Sequence, residues 1–597
     1  MRKFVFFCIL LITTFTTVFS QNTGNSWRDK LAPEIRVAFD RGESSDLFVV
    51  FREKADVSGA RYLQGKSAKA RFVYNRLLET ASRTQANAIR LLRDRQASVN
   101  SFFLVNAIAV GDAGPDLVRA LAELPEVSIL VPDPEVNLDM PRPAPLTPAN
   151  RGSIEWGIDK INAPAVWALG YTGQGITVGG ADTGYEWEHP AIKPHYRGWQ
   201  EQTGVANHNY NWHDAVHEIS PLSGDSIPDP ANNPCGVNAL EPCDDHNHGT
   251  HTMGTMTGDD GQGNQIGVAP GAKWIGCRNM ERGNGKSSGY IECFQWFLAP
   301  TDLDGKNPDA DKAPHVVNNS WYCSYEEGCT DLAVMELMRI AVANLKASGV
   351  VVVVSAGNSG SQGCGSVSGP PAFFEESFSV GATASNDTIT GFSSLGPSII
   401  DGSFRTKPNV VAPGAAVRSC VRNGNYAHFW GTSMAGPHVA GLVALVLSAR
   451  PDLAGEVNII ENIIEQTAIA KFDTMNCFDN GGQNYPNNTY GYGRVNALAA
   501  VQKALDFNAV STDEPAMPGV NVYPNPVSDE AIFKLQNVSG KTTLDIFSVD
   551  GKRIFHKSWM ATSRELVQVS LKNQPEGVYF WKLTSGNMVR ADKLIKQ

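Results

Sequence analysis

Asp182, His248 and Ser433 have the side-chain types and settings that suit acyl transfer, in which a serine attacks a carbonyl while a histidine moves the proton. Ser433 stands in FWGTSMAGPHVAGLVALVLSA, residues 429–449, just before an apolar run. A hydroxyl there is ordinarily an N-cap. Ala435, Gly436, Ala440 and Gly441, however, are poor filler for an amphipathic face, and the glycines cost helix propensity, so close backbone approach accounts for them better. A hydroxyl at a helix N-terminus sits where free N–H groups and the positive end of the dipole stabilise a developing oxyanion. Ser433 is therefore a candidate nucleophile, and it requires a base and an acid to orient that base. ITVGGADTG ends a strand at Asp182, where a turn aspartate is the ordinary alternative. DDHNHGTHTMGTMTG places His248 and His251 at the start of a helix among small residues. Their i, i+3 spacing suggests metal ligation, but the glutamate of H-E-x-x-H is missing. VVVVSAGNSG ends with Asn358, an amide poised to donate to an oxyanion; a loop asparagine is the plain alternative.

The elements that must hold these groups are short β-branched runs alternating with helical stretches: GITVGGAD, HVVNNS, VVVVSAGN and SFSVGAT. Continuous apolar strands of this kind are buried on both faces, as in a parallel α/β sheet, and active groups gather at the carboxyl ends of its strands. Ahead of this region, DLFVVF, a long helical stretch from Ser67 to Val99, SFFLVNAIAV, DLVRALAEL and VSILV read as a small α+β module. It ends in the proline-rich linker DMPRPAPLTPANRG. The last segment alternates strands about an Asp550-Gly551 hairpin signal and reads as a compact β-sandwich.

Taken in order, Asp-Thr-Gly, His-Gly-Thr-His, Ala-Gly-Asn and Gly-Thr-Ser-Met-Ala resemble the motifs of the subtilisin-like serine peptidases, over residues 150 to 505. An α/β-hydrolase would need G-x-S-x-G and the order Ser, Asp, His, and neither is met. The resemblance implies Asp182 as orienting acid, His248 as general base, Ser433 as nucleophile and Asn358 as oxyanion donor, with His251 and His438 as packing residues. It implies a subtilisin-like α/β fold, a parallel sheet with helices on both faces, preceded by an α+β propeptide and followed by a small β-sandwich. It further implies that substrate lies as an added strand lined by Ser320, Trp321, Ser355, Ala356 and Gly357. Trp321 and Tyr322 are bulkier than the family's usual residues, and no charged residue marks the pocket floor, so an uncharged or hydrophobic side chain is expected before the scissile bond. The competing reading is a catalytically silent, surface-binding member of the same family. The segment from residue 520, with YPNP, GVYFWKL and VRADKLIKQ, resembles the C-terminal sorting domain of the type IX secretion system.

The whole chain suits this reading. With 597 residues, 42% hydrophobic and 19% charged, it is globular and multidomain, and 50 basic against 61 acidic residues give no reason to expect nucleic acid as a partner. MRKFVFFCILLITTFTTVFSQ has the basic start, apolar run and small-residue exit of a signal peptide, and no later stretch is expected to reach membrane-spanning length. The expected divisions are a signal peptide at 1–20, a propeptide at 21–149, a catalytic domain at 150–508, a linker at 509–519 and a sorting domain at 520–597. The expected partners are protein or peptide substrates, the chain's own propeptide and the outer-membrane secretion machinery. Of ten cysteines, Cys8 falls in the leader and nine lie between residues 235 and 477. Short spacings favour Cys235 with Cys243, Cys277 with Cys293 and Cys323 with Cys329, leaving Cys364, Cys420 and Cys477 to compete. The chemistry requires no cofactor. TDLDGKNPDADK, with Asp302, Asp304, Asp309 and Asp311, is a candidate structural calcium loop, a solvated acidic loop being the commoner case.

Overall fold

The computed structural model describes residues 27–507 and 520–596, apart from 138–144, 148–151, 226–228, 323–330, 479, 537, 539, 550, 563, 586 and 587. The leader, the linker at 509–519, Asp550 and the Cys323–Cys329 pairing therefore lie outside the described residues. Residues up to Leu505 form one unit, and Asp506–Gln597 form a second.

The N-terminal segment is a four-stranded antiparallel sheet with helices, as its alternating pattern suggested. Its strands are β1 (Ser45–Phe51), β2 (Asn100–Phe102), β3 (Ala107–Ala113) and β4 (Val127–Pro132), in the order β2-β3-β1-β4. The expected helix from Ser67 to Val99 is instead two, α1 (Lys66–Thr84) and α2 (Ala86–Asp94). The buried Gln85 marks the break: its amide donates to Asn106 Oδ1 at 3.0 Å and accepts from Ser101 Oγ at 2.6 Å, drawing the chain toward the β2–β3 turn. That turn splits the expected strand SFFLVNAIAV, because Asn106 adopts φ 51°, a left-handed conformation asparagine tolerates. A short helix, α3 (Pro115–Glu123), precedes β4 as expected.

A short strand, β5 (Glu135–Asn137), leaves this segment, and β6 (Leu146–Thr147) follows it. The main sheet then has seven parallel strands. In chain order these are β7 (Thr177–Asp182), β8 (Trp212–Asp214), β9 (Lys273–Arg278), β11 (Val316–Asn319), β12 (Val351–Ser355), β13 (Phe378–Thr383) and β14 (Val410–Pro413), with β10 (Asn284–Lys286) lying outside the sheet. Their spatial order is β8-β9-β7-β11-β12-β13-β14. Every residue of β7, β12 and β13 is buried, which is why these runs read as continuously apolar rather than alternating. Helices α4 (His248–Thr257) and α7 (Thr432–Ala449) pack together and against the sheet, while α5 (Ser287–Leu298) and α6 (Leu332–Ala347) form another packed pair. A hairpin of β15 (Val417–Val421) and β16 (Asn425–Phe429) runs into α7. By length and composition α7 could cross a membrane, contrary to expectation, but it is buried along its length as the central core helix.

The C-terminal unit has two antiparallel sheets. One is β17 (Val520–Tyr523), β18 (Glu530–Gln536) and β21 (Arg564–Ser570); the other is β19 (Gly540–Ser548), β20 (Arg553–Ala561), β22 (Gly577–Ser585) and β23 (Met588–Lys596). They share a core in which Phe533 and Trp581 meet edge to face at 5.3 Å. The β19–β20 pairing is the hairpin signalled by Asp550-Gly551.

Candidate active site

Asp182 closes β7 at the carboxyl edge of the sheet and is buried. Its Oδ1 accepts from the Thr183 main-chain N–H at 2.8 Å and from His248 Nδ1 at 2.6 Å, while Oδ2 accepts from Thr252 Oγ1 at 3.2 Å. These bonds fix the imidazole ring with Nδ1 protonated, so Nε2 is the basic nitrogen. His248 opens α4, and its buried Nε2 has no hydrogen-bond partner among the described residues.

Ser433 lies in the first turn of α7, so the N-cap is Gly431 rather than the serine. Ser433 Oγ donates to the Ser320 main-chain oxygen at 2.9 Å, and Ser320 Oγ donates back to the Ser433 main-chain oxygen at 2.8 Å. This pair ties the start of α7 to the end of β11. The small residues permit it: a Cβ on Gly436 would sit 2.9 Å from Asn318 Oδ1, and one on Gly441 would sit 2.5 Å from Val268 Cβ.

Asn358 follows β12. Its Oδ1 accepts from both the N–H and Oγ1 of Thr432 at 2.9 Å, and Thr432 Oγ1 accepts from the Gly357 N–H at 3.2 Å. With the oxygen so engaged, the amide presents Nδ2 as a donor beside the first turn of α7. Ser355, Ala356 and Ser320 are buried at the carboxyl ends of β12 and β11, which pair as Asn319 with Val354. Trp321 is buried as well, stacked on Tyr290 at 4.0 Å, so its bulk is absorbed inside the fold.

His251 and His438 are packing residues. His251 stacks on Phe429 at 4.4 Å, its Nε2 lies 3.0 Å from the Val417 oxygen, and burial pushes it down to about 3. His438 Nδ1 donates to the Met434 oxygen at 2.8 Å, and burial brings it down to about 4. Among the described residues no group of three or more His, Cys, Asp or Glu is placed to hold a metal. The carboxylates of the candidate calcium loop face other partners: Asp302 accepts from the Lys306 N–H at 2.7 Å, Asp309 pairs with Lys312, and Asp311 pairs with Arg71.

Cys235–Cys243 and Cys277–Cys293 are bridged as their spacing favoured, and Cys364 joins Cys477. Cys420 is left free and buried on β15, its thiol donating to the Thr250 oxygen. Sequence reasoning gave Asp244 no role, although it lies four residues before His248. In the fold it is buried and accepts from Thr183 Oγ1 at 2.9 Å.

A buried Asp-His pair and a serine in the first turn of a core helix thus stand on a seven-stranded parallel sheet, and comparison with known proteins gives the family. The model of the subtilase family matches residues 173–493, more than half of the chain, and this chain belongs to that family. Bacillopeptidase F of Bacillus subtilis (strain 168) is 34% identical over 515 residues, which are 81% of this chain but 33% of that protein. The chain thus spans about a third of the length of that relative. Subtilisin DY of Bacillus licheniformis is 30% identical over 351 residues, covering 59% of this chain and 99% of that protein, and subtilisin NAT of Bacillus subtilis subsp. natto is 29% identical over 353 residues, covering 59% and 72%. Residues 521–597 match the secretion system C-terminal sorting domain, which marks the chain for export to the outer surface.

Proposed function

We propose that this chain is a secreted serine endopeptidase, made as a self-processing zymogen, that hydrolyses peptide bonds through Asp182, His248 and Ser433. The observation that carries the proposal is the 2.6 Å bond between His248 Nδ1 and Asp182 Oδ1, with Ser433 and Asn358 at the start of α7, the helix that packs against α4. Ser433 Oγ leaves the Ser320 carbonyl, passes its proton to His248 Nε2 and attacks the scissile carbonyl. The oxyanion takes hydrogen bonds from Asn358 Nδ2 and the Ser433 N–H, aided by the α7 dipole. His248 returns the proton to the leaving amine, and water then hydrolyses the acyl-enzyme with the roles reversed. Substrate adds as a strand along Ser320–Trp321 and Ser355–Gly357, with preference for an uncharged or hydrophobic side chain before the cut; strict cleavage after Arg or Lys in a substrate scan would refute that preference.

The zymogen reading draws support from how the N-terminal segment meets the rest of its unit. β5 pairs antiparallel with β10, and β6 pairs with β16, the strand that leads into Ser433. The chain joining β5 to β6 is thus held at both ends by strands of the catalytic region. Self-cleavage falls in or just after it, near residues 140 to 151, freeing 21–149 as an inhibitory and folding-assisting prosegment; the catalytic domain then runs to 508 and the linker from 509 to 519. Casein hydrolysis by the purified protein beside Ser433→Ala tests the proposal: activity in the first and none in the second supports it, and equal activity or none in either refutes it.

A further inference from the structure

We infer that Asp244 is a positioning residue for the reaction, acting through Thr183 and Thr250 on the geometry of the Asp182–His248 pair; this rests on the catalytic reading above. Asp244 touches neither the nucleophile nor the base. Its Oδ1 accepts from Thr183 Oγ1 at 2.9 Å, the His246 N–H at 2.9 Å and the Asn247 N–H at 3.0 Å. Its Oδ2 accepts from the Thr250 N–H at 3.0 Å and Thr250 Oγ1 at 2.6 Å. One carboxylate thus fastens two pieces of chain. On one side is the turn that leaves β7: Thr183 follows Asp182, its hydroxyl also accepts from the Gly249 N–H at 3.0 Å, and Thr250 Oγ1 accepts from the Glu186 N–H at 2.9 Å. On the other is the start of α4, where Asn247 and Gly249 flank His248.

The surroundings leave little freedom in this joint. Tyr185 N–H donates to the Cys243 oxygen at 3.0 Å, and a Cβ on Gly249 would lie 2.1 Å from the Gly184 oxygen. Cys243, immediately before Asp244, is bridged to Cys235, so the disulfide anchors the incoming chain. Asp245 turns away to the buried Arg278 at 2.6 Å and takes no part in the joint. An aspartate whose only task was to cap α4 would not need the Thr183 hydroxyl, which lies on a different element. That link between the turn after Asp182 and the helix of His248 distinguishes a positioning role from a local one.

Asp244→Asn keeps the volume but replaces one acceptor oxygen with an N–H donor pair, so at least one of the N–H groups now bonded must face a donor. Thr183→Val removes the hydroxyl, and with it the link to Asp244 and the acceptor of the Gly249 N–H, whereas Thr183→Ser keeps the hydroxyl. Steady-state kinetics on a peptide p-nitroanilide with a hydrophobic residue before the anilide, the pH profile of kcat/KM and thermal melting are measured for wild type and the three variants. The expected result is kcat lowered about tenfold or more in Asp244→Asn and Thr183→Val, with KM within about twofold, a shifted acid limb of the pH profile, and kcat recovered in Thr183→Ser. Unchanged kcat in a folded Asp244→Asn or Thr183→Val enzyme, or no recovery in Thr183→Ser, overturns the inference. If Asp244→Asn gives no folded enzyme, the Thr183 pair decides by the same criteria. An inert wild type refutes the catalytic reading and this inference with it; an active wild type with unaffected variants refutes this inference alone.

Discussion

His248 Nδ1 and Asp182 Oδ1 meet at 2.6 Å, both side chains shut away from solvent, and the second aspartate oxygen is braced by Thr252. The bond does two things: it fixes the tautomer that leaves Nε2 basic, and it places a negative charge beside the imidazolium that would form in the proposed reaction. Asp182→Asn preserves the shape but lets an amide N–H face Nδ1, which favours the wrong tautomer. A loss in kcat of about 10⁴ at neutral pH is expected from steady-state assay, with the fold retained by circular dichroism.

Asn358 has its oxygen fixed by two bonds from Thr432, so its Nδ2 is held ready as a donor before substrate arrives. Asn358→Ala is expected to lower kcat by about 10²–10³ with little change in KM, the size that goes with losing one oxyanion donor. A change confined to KM would mean that the amide binds the ground state instead.

The four candidate residues stand out in the sequence because each lies in a short motif at the end of an apolar strand or the start of a small-residue helix. What it hid depends on distance along the chain. Gln85 breaks a helix because Asn106, 21 residues later, holds its amide. Asp244 carries no signal of a role in the sequence because its partner Thr183 is 61 residues away. Cys364 and Cys477 are 113 apart, beyond any local spacing rule, whereas the two bridges between nearer cysteines were favoured correctly. The parallel sheet itself was legible, since burial on both faces leaves a continuous apolar run.

The same separations set the worth of the bridges. Closing a loop of about 100 residues stabilises by about 4–5 kcal/mol in the chain-entropy model, and a short loop by about 3 or less. Replacing Cys364 and Cys477 by alanine is therefore expected to lower the urea midpoint more than replacing Cys235 and Cys243. Equal midpoints would contradict the entropic account.

His217 lies 3.0 Å from Glu292 and its other ring nitrogen 2.6 Å from Asn238 Oδ1; the bond to Glu292 raises the imidazolium from 6.5 to about 9. Because the folded value is raised, this contribution to stability is complete below pH 6.5 and is lost as pH rises through 9. His217 is half exposed, so solvent screens the pair and the effect is modest. Glu292 also holds His213 and accepts from Asn100 of the N-terminal segment, which makes the full-length Ser433→Ala form the proper background. In that background, Glu292→Gln should lower the melting temperature more below pH 6.5 than above pH 9. A difference independent of pH would rule out the charge on His217 as its source.

The central claim, that Ser433 attacks peptide bonds including one in its own chain, is tested most directly by the mass and N-terminal sequence of purified wild type beside Ser433→Ala, with casein hydrolysis followed in parallel. The account predicts that wild type loses its N-terminal segment near residues 140 to 151 and cleaves casein, while the variant keeps the segment and is inert. Identical processing of both, with neither cleaving casein, would contradict it.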